Sequence, residues 1–277
     1  MAHATNKFSS LSFLSLDVVS GALASMYFFK QLLHVELAGT RYVLLALAVW
    51  VIYSLDHLVD LRRSKEAPLS ARRIFHWRHR RILGLLVVIA IVFGILGSFF
   101  WLGWGIELQV ATCLGMGIAG SLGIIHYRGW FKWKEVSIAF FYVIGVAWLP
   151  LLKASPLDLN WEVSLFLVFY VLIALLNLLM LTFLDREEDL VSGFGSAAQK
   201  MTTSQLQGRI RKLGLVLIIT SLLAFVFLPS LYRTYSGILF LMTLAHYLIF
   251  FGSKSSENQK RMAMELSFSM PWILALF

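Results

Sequence analysis

The chain has little charge, five prolines and a single cysteine, Cys113, among its 277 residues. One cysteine excludes an intrachain disulfide. Charged residues make up 14% of the chain, against about 25% in a typical soluble domain, and hydrophobic residues make up 59%. The mean hydropathy of +0.77 indicates more apolar surface than a soluble globular protein can bury. We therefore expect an integral membrane protein.

The chain contains a series of long apolar runs. We count nine, near 14–33, 42–60, 82–101, 106–126, 136–152, 162–184, 213–229, 235–251 and 262–277. Runs of about 20 residues favour helices over β-barrel strands, which alternate over about 10 residues. The first run has no clear small-residue cleavage site, so we interpret it as a retained helix. The predicted fold is all-α, with nine transmembrane helices in a single domain over 1–277.

Basic residues predict the orientation of these helices. The N-terminal tail and the loops after even-numbered runs carry 20 Lys and Arg residues, and the other loops carry 4. The positive-inside rule therefore predicts a cytoplasmic N-terminus, in what we expect is a bacterial plasma membrane. Loops at about 61–81, 127–135 and 185–212 would border a cytoplasmic site. We interpret the net charge of +9 as attraction to membrane lipid and expect no nucleic-acid partner.

Two acidic clusters lie at the predicted cytoplasmic ends of the second and sixth runs. They are Asp56-His57-Leu58-Val59-Asp60 and Asp185-Arg186-Glu187-Glu188-Asp189. A carboxylate inside the bilayer costs roughly 2.5–3.5 kcal/mol, so acids at the edge of a span need a reason. Aspartates at positions i and i+4 share one helix face, about 6 Å apart along the axis. Helices 1–4 and 5–8 could be two copies of one four-helix unit, because the two clusters lie four helices apart.

The residue types in and around these clusters suggest a ligand with a phosphate group. Carboxylates are the oxygen ligands that Mg²⁺ takes, usually together with substrate phosphates. Basic side chains on the same side could bind the phosphates: Arg62, Arg63, Lys65, Arg128, Lys132 and Lys134. Together with an apolar interior, they suggest an amphiphile with a diphosphate head and an apolar tail. Solvated helix ends and turns are the other interpretation of the acids, and the spacing alone does not name a reaction.

The second cluster and the residues after it match a known motif. Asp185, Glu187, Asp189 and Gly193 resemble the second aspartate motif of UbiA-type intramembrane prenyltransferases, N-D-x-x-D-x-E-x-D, with Ser196 for a frequent Thr. The first family motif, N-D-x-x-D-x-x-x-D, is matched at Asp56 and Asp60. The stretch 65–73 is similar to the family's R-P-L-x-x-G-R-type loop. Tyr127 with Lys132 is similar to its Tyr…Lys segment after the fourth helix.

This resemblance implies Mg²⁺-dependent transfer of a prenyl group from an isoprenyl diphosphate to a small aromatic or lipophilic acceptor. The implied metal ligands and catalytic residues are Asp56, Asp60, Asp185 and Asp189, with Tyr127 as a further catalytic residue. The implied substrate-binding residues are Arg62, Arg63, Lys132, Asn177 and Glu187. Aromatic residues that could stabilise a carbocation by cation–π attraction include Tyr53, Phe141, Tyr142, Trp148, Phe169 and Tyr170.

The chain departs from the family at the start of both motifs. Ile52-Tyr53 and Leu181-Thr182 stand where the motifs have Asn-Asp. Asn177, one turn before Leu181, could substitute in part or could form an interhelical hydrogen bond. A catalytically degenerate member acting as a transporter or scaffold is therefore the alternative function. A CDP-alcohol phosphotransferase is a further enzyme class, but its contiguous motif with Asp-Gly and Ala-Arg is missing.

Other polar and small residues in the runs give weaker expectations. Asp17 in the first run needs a partner or a water-lined cavity, unless it lies near the interface. His57 should point away from the face shared by Asp56 and Asp60. His246 is expected to be a hydrogen-bonding residue within the bundle. Four glycines in the fourth run predict close helix packing: Gly115, Gly117, Gly120 and Gly123.

Overall fold

The computed structural model describes residues 13–63, 71–127, 134–186, 201–252 and 254–276. Within these ranges the chain forms nine α-helices, one 3₁₀-helix and no strand, which confirms the predicted all-α class. The α-helices are α1 (Leu16–Leu32), α2 (Gly39–Arg63), α3 (Ala71–Leu102), α4 (Ile106–Tyr127), α5 (Lys134–Lys153), α6 (Trp161–Leu184), α7 (Thr203–Phe227), α8 (Ser230–Gly252) and α9 (Glu257–Ser267). The 3₁₀-helix is Met270–Leu276.

Six of the described helices are long and apolar enough to cross a membrane. They are Gly39–Leu61 within α2, Arg72–Leu102 within α3, and α5, α6, α7 and α8 in full. Large apolar side chains cover the outside of this bundle; on α3, Phe93 is 66% and Phe100 is 82% exposed. An exposed apolar surface of this extent is typical of contact with lipid. The chain therefore has the character of an integral membrane protein with transmembrane helices.

Helix α1 lies inside the bundle. It packs against α2, α5, α8, α9 and the 3₁₀-helix, and eleven of its residues are buried. The Phe28 ring contacts the ring of Tyr170 at a centroid distance of 5.3 Å, and the Tyr170 hydroxyl donates to Ser25 Oγ at 2.8 Å. Protein rather than lipid surrounds this helix, which explains how it accommodates Asp17. Helices α1 and α5, the first of each predicted four-helix unit, pack together, but the repeat itself stays a prediction.

The predicted span at 262–277 does not form one continuous α-helix, and nine transmembrane helices stay a prediction. Helix α9 begins at Glu257 and ends at Ser267, and a 3₁₀-helix follows from Met270. Pro271 has no backbone N–H, so it cannot continue an α-helical hydrogen-bond pattern. Both segments run beside α1 in the same direction. Ser269 Oγ lies 2.8 Å from Ser20 Oγ, and the Trp272 ring lies 5.2 Å from the Tyr27 ring.

The glycines of α4 do not have the predicted packing role. A Cβ atom added at any of the four would have no described atom within 4 Å beyond the helix's own backbone. Most side chains of α4 are exposed or half-buried, because this helix lies at the edge of the described bundle. A close approach occurs at Gly21 of α1 instead. A Cβ atom there would lie 2.8 Å from the Cβ of Phe268.

Candidate functional site

A cavity opens between α1, α2, α5, α6 and α9. It contains about 460 Å³ of space between side chains, part of it open to the outside. Its wall is mainly apolar, and its polar groups are Tyr53, Tyr142, Asn177 and Glu265. An apolar wall with a few polar groups is typical of small-molecule sites in proteins. This cavity is therefore the candidate functional site.

Both helices that carry an acidic cluster reach this cavity. Tyr53 on α2 lines it one turn before Asp56, and Leu181 on α6 lines it one turn before Asp185. These two lining residues occupy positions where the resembled motifs have their upstream polar pair. The cavity thus lies beside the first residues of both predicted motifs. At these positions the cavity wall carries Tyr53 and Leu181, which are less polar than the Asn-Asp pair of the resembled motifs.

Asn177 brings an amide group to the cavity wall. Its carbonyl oxygen Oδ1 is buried, and no described group donates a hydrogen bond to it. A buried acceptor without a donor costs about 1–3 kcal/mol, so such an atom is expected to serve a ligand or an ordered water. The substrate-binding role of Asn177 stays a prediction. It gives no support to an interhelical hydrogen bond at Oδ1.

Helix α2 turns His57 rather than Asp56 towards the protein. The Asp56 side chain is exposed and Asp60 is half-buried. The His57 ring lies 4.6 Å from the ring of His76 on α3. As predicted, His57 therefore points in a different direction from the exposed side chain of Asp56. The His76 ring nitrogen Nδ1 is 2.9 Å from the backbone oxygen of Arg72. These contacts join the end of α2 to the start of α3.

Asp185 forms an ion pair with Arg261 of α9. Asp185 is the C-cap of α6, and its backbone N–H donates to the carbonyl oxygen of Leu181. Arg261 was not identified from the sequence, because no local sequence pattern indicates that α9 contacts the end of α6. The ion pair connects the end of α6 to the start of α9. The contact of His57 with His76 connects the end of α2 to the start of α3.

Magnesium binding stays a prediction. Asp56, Asp60 and Asp185 provide the hard oxygen ligands that the ion prefers. In the part of the chain that the structure describes, however, no three His, Cys, Asp or Glu residues are grouped as a metal site. Glu187 and Asp189 of the second cluster lie outside the described residues. The described carboxylates therefore fit the ion in chemistry without forming a complete site by themselves.

The remaining predicted residues lie elsewhere. Tyr127 ends α4, its side chain is 92% exposed, and it does not line the cavity. Arg62 and Arg63 are the last two residues of α2, at the end where the acidic cluster lies. Lys132 falls outside the described residues. The roles predicted for these residues stay predictions.

A buried ionic cluster at the cavity was only partly anticipated. Asp17 of α1 and Glu265 of α9 are buried, with 4% and 6% of their surfaces exposed. Arg72 of α3 lies beside them, with Nη1 3.6 Å from Glu265 Oε1 and Nη2 donating to Ser15 Oγ at 2.8 Å. Asp17 Oδ1 accepts a hydrogen bond from the backbone N–H of Val18 at 2.9 Å, and the expectation that Asp17 needs a partner or a water-lined cavity stays a prediction. Glu265 and Arg72 were missed, although a carboxylate in the last apolar run was a signal.

His246 of α8 has the predicted bundle role. Its ring is buried against Ser267 of α9, with Nδ1 3.0 Å from Ser267 Oγ. This contact joins α8 to α9 close to Glu265. His246 therefore helps to position α9, which lines the cavity, and does not line the cavity itself.

Fold and cavity together define a helical integral membrane protein with a mainly apolar cavity and an ionic cluster in its wall. No protein family, no curated protein and no solved structure matches the chain. Functional inference therefore depends on the cavity itself and on the motif resemblance.

Proposed function

We propose that this protein is an intramembrane prenyltransferase. It transfers a prenyl group from an isoprenyl diphosphate to a small aromatic or lipophilic acceptor, using Mg²⁺. The observation that carries the proposal is the position of the cavity, which both acidic-cluster helices line one turn before their aspartates. Two aspartate clusters at helix ends around one apolar cavity suit a donor with a diphosphate head and an apolar tail.

In this proposal the head of the donor binds at the ends of α2 and α6. Asp56, Asp60, Asp185 and Asp189 would hold the ion, and the basic residues would hold phosphate oxygens: Arg62, Arg63 and Lys132. Bound Mg²⁺ supplies positive charge that stabilises the diphosphate leaving group. Glu187 and the Asn177 amide would orient the polar part of a substrate. This part of the site selects for a phosphorylated head group.

The apolar part of the cavity protects the reacting carbon. When the allylic C–O bond breaks, the diphosphate leaves with the electron pair and an allylic cation remains. The ring faces of Tyr53 and Tyr142 can stabilise that cation, and apolar neighbours such as Phe268 exclude water. The acceptor then forms the new bond to carbon and loses a proton. These residues enclose the reacting carbon and stabilise the cation, and they form no covalent bond to the substrate.

The proposed orientation places the N-terminus and the aspartate clusters on the cytoplasmic side of a bacterial plasma membrane. Its support is the uneven distribution of Lys and Arg among the loops. With nine membrane segments, the ends of α2 and α6 and the starts of α1, α3 and α9 fall on that side. The last segment would enter the membrane beside α1 as α9 and the 3₁₀-helix.

The test is donor binding by the purified protein. Wild-type protein in detergent is titrated with geranylgeranyl diphosphate at several Mg²⁺ concentrations. We expect Mg²⁺-dependent binding that Asp56→Asn and Asp185→Asn each weaken at least tenfold. Asp158→Asn, in the α5–α6 loop, is the matched control and should bind as wild type does. No binding at any Mg²⁺ concentration would refute the proposal.

A transporter or a catalytically inactive scaffold is the second candidate. The observation that favours it is the buried ionic cluster of Asp17, Arg72 and Glu265, because ionisable groups inside helix bundles are characteristic of transport pathways. The apolar residues at the upstream motif positions also favour it. Binding of the diphosphate without release of pyrophosphate, in the presence of a panel of aromatic acceptors, would support this candidate over the enzyme.

A further inference from the structure

The ion pair of Arg261 and Asp185 lies one turn of helix beyond the cavity wall. On α9, Arg261 comes four residues before Glu265, which lines the cavity. On α6, Asp185 comes four residues after Leu181, which also lines it. Four residues are about one helical turn, and the ion pair shows that the two side chains meet. The pair therefore lies where the proposed function places the diphosphate head of the donor.

Arg261 neutralises a carboxylate that is also a predicted metal ligand. Its Nη2 donates to Asp185 Oδ1, and the two side chains are 19% and 29% exposed. Water therefore screens this pair less than it screens an ion pair on an open surface. A carboxylate that already carries a guanidinium group attracts a second cation less strongly. Arg261 and a magnesium ion would thus compete for Asp185.

The guanidinium group of Arg261 is equally suited to a phosphate. Its planar set of N–H donors matches the oxygens of a carboxylate and of a phosphate group alike. The neighbouring cation on α9 has a different direction, because Lys260 Nζ donates to the backbone oxygen of Phe250 on α8 at 3.1 Å. Of these two cations, Arg261 is thus the one that contacts the end of α6.

We infer that Arg261 is a substrate-binding residue that exchanges Asp185 for a phosphate group when the donor binds together with Mg²⁺. In the empty protein Arg261 and Asp185 neutralise each other. In the complex Asp185 pairs with the metal ion, and Arg261 turns to an oxygen of the diphosphate. The exchange adds a residue of α9 to a site that the sequence places only on α2, α6 and the loops. This inference rests on the proposed function.

The exchange keeps the charges of both side chains paired. A complex of Mg²⁺ and diphosphate brings a cation for Asp185 and an anion for Arg261. Mg²⁺ alone would take Asp185 and leave the partly enclosed Arg261 without its counter-ion. Diphosphate alone would meet the carboxylate of Asp185. Because each of these incomplete arrangements costs free energy, the ion pair favours the metal–diphosphate complex over either component.

Two titrations of the full-length protein in detergent test the exchange. Mn²⁺, followed by electron paramagnetic resonance, reports metal binding without donor, and geranylgeranyl diphosphate at saturating Mg²⁺ reports donor binding. In Arg261→Gln the Mn²⁺ affinity should rise about threefold or more, because the competing cation is gone. The donor affinity should fall about tenfold, the value of one charge-assisted hydrogen bond. Lys260→Gln removes the same charge from the neighbouring position and should change neither affinity.

Asp185→Asn should give the reciprocal change. In EDTA it should bind the donor more tightly than wild-type protein does, because Arg261 has lost its counter-ion. Unchanged or weaker Mn²⁺ binding by Arg261→Gln, or donor binding equal to that of wild type, overturns the exchange and leaves the proposed function intact. If Arg261→Gln does not fold, an Asp185→Asn affinity in EDTA no higher than that of wild type overturns it. Wild-type protein that binds no donor at any Mg²⁺ concentration refutes the proposed function itself, and the exchange with it.

Discussion

Arg261 of α9 is paired with Asp185, the C-cap residue that follows Leu184 at the end of α6. Their side chains are 19% and 29% exposed, so removal of one partner leaves the other charge partly enclosed without its counter-ion. We expect Arg261→Gln and Asp185→Asn each to lower the melting temperature in detergent. The double variant should lose less than the sum, with an interaction energy of about 1 kcal/mol. Strictly additive losses would contradict the pairing.

Gly21 should tolerate no side chain. An alanine Cβ at this position would lie 2.8 Å from the Cβ of Phe268, an atom that cannot move without shifting the end of α9. We expect Gly21→Ala to destabilise the protein by about 1–3 kcal/mol. Gly145→Ala on α5 is the matched control, since a Cβ there would meet no described atom within 4 Å. Thermal unfolding of both variants decides the point, and equal melting temperatures would count against close packing of α9 on α1.

The Tyr170 hydroxyl should contribute to stability. It is fully buried and donates to Ser25 Oγ at 2.8 Å. We expect Tyr170→Phe to reduce stability by about 0.5–1.5 kcal/mol, the usual net value of one hydrogen bond. Tyr127→Phe removes a hydroxyl from a 92% exposed ring and should leave the melting temperature unchanged. In a transfer assay, the same control variant tests the predicted catalytic role of Tyr127, which requires a loss of turnover.

Asn177 should matter more for ligand binding than for stability. Since no described group donates to its buried Oδ1, Asn177→Leu removes an unsatisfied acceptor and should leave the melting temperature unchanged or raise it. Affinity for the diphosphate donor should fall about tenfold if the amide contacts it, a loss of about 1.4 kcal/mol. A large loss of stability with unchanged affinity would assign Asn177 to packing instead.

Asn160 provides the contrasting asparagine on the same helix. It caps α6, its Oδ1 accepts from the N–H of Val163 at 3.0 Å, and its amide donates to the Tyr232 hydroxyl at 2.6 Å. Asn160→Ala should therefore cost about 0.5–2 kcal/mol of stability. Donor affinity should stay unchanged, because Asn160 does not line the cavity. Differential scanning fluorimetry and the binding titration together separate the two asparagines.

Helix positions were predictable because hydropathy is a local property. The fifth and sixth predicted runs differ from α5 and α6 by at most two residues at either end. The starts of α3 and α7 were placed about ten residues too late. Both helices begin in polar sequence, α7 with a capping box formed by Thr202 and Gln205, and a hydropathy pattern cannot detect helix outside an apolar run.

The candidate site was predictable only in part. Local pattern identified the two acidic clusters and Asn177, which the structure places at the cavity wall. It could not identify Arg72 or Glu265, because their contacts join the start of α1, the start of α3 and α9. The glycines of α4 show the same limit, since a small-residue stripe indicates that helices can approach closely but not that they do.

The sequence by itself determined that this protein is a helical membrane protein with acidic clusters at two helix ends. Those properties follow from composition and from the order of apolar and charged residues, which any fold of the chain must satisfy. Only the tertiary structure decided that the last segment runs beside α1 and places Glu265 at the cavity. That placement depends on how segments far apart in the chain pack, as at Gly21, where a Cβ atom would lie 2.8 Å from the Cβ of Phe268. Packing between distant segments leaves no local pattern to detect.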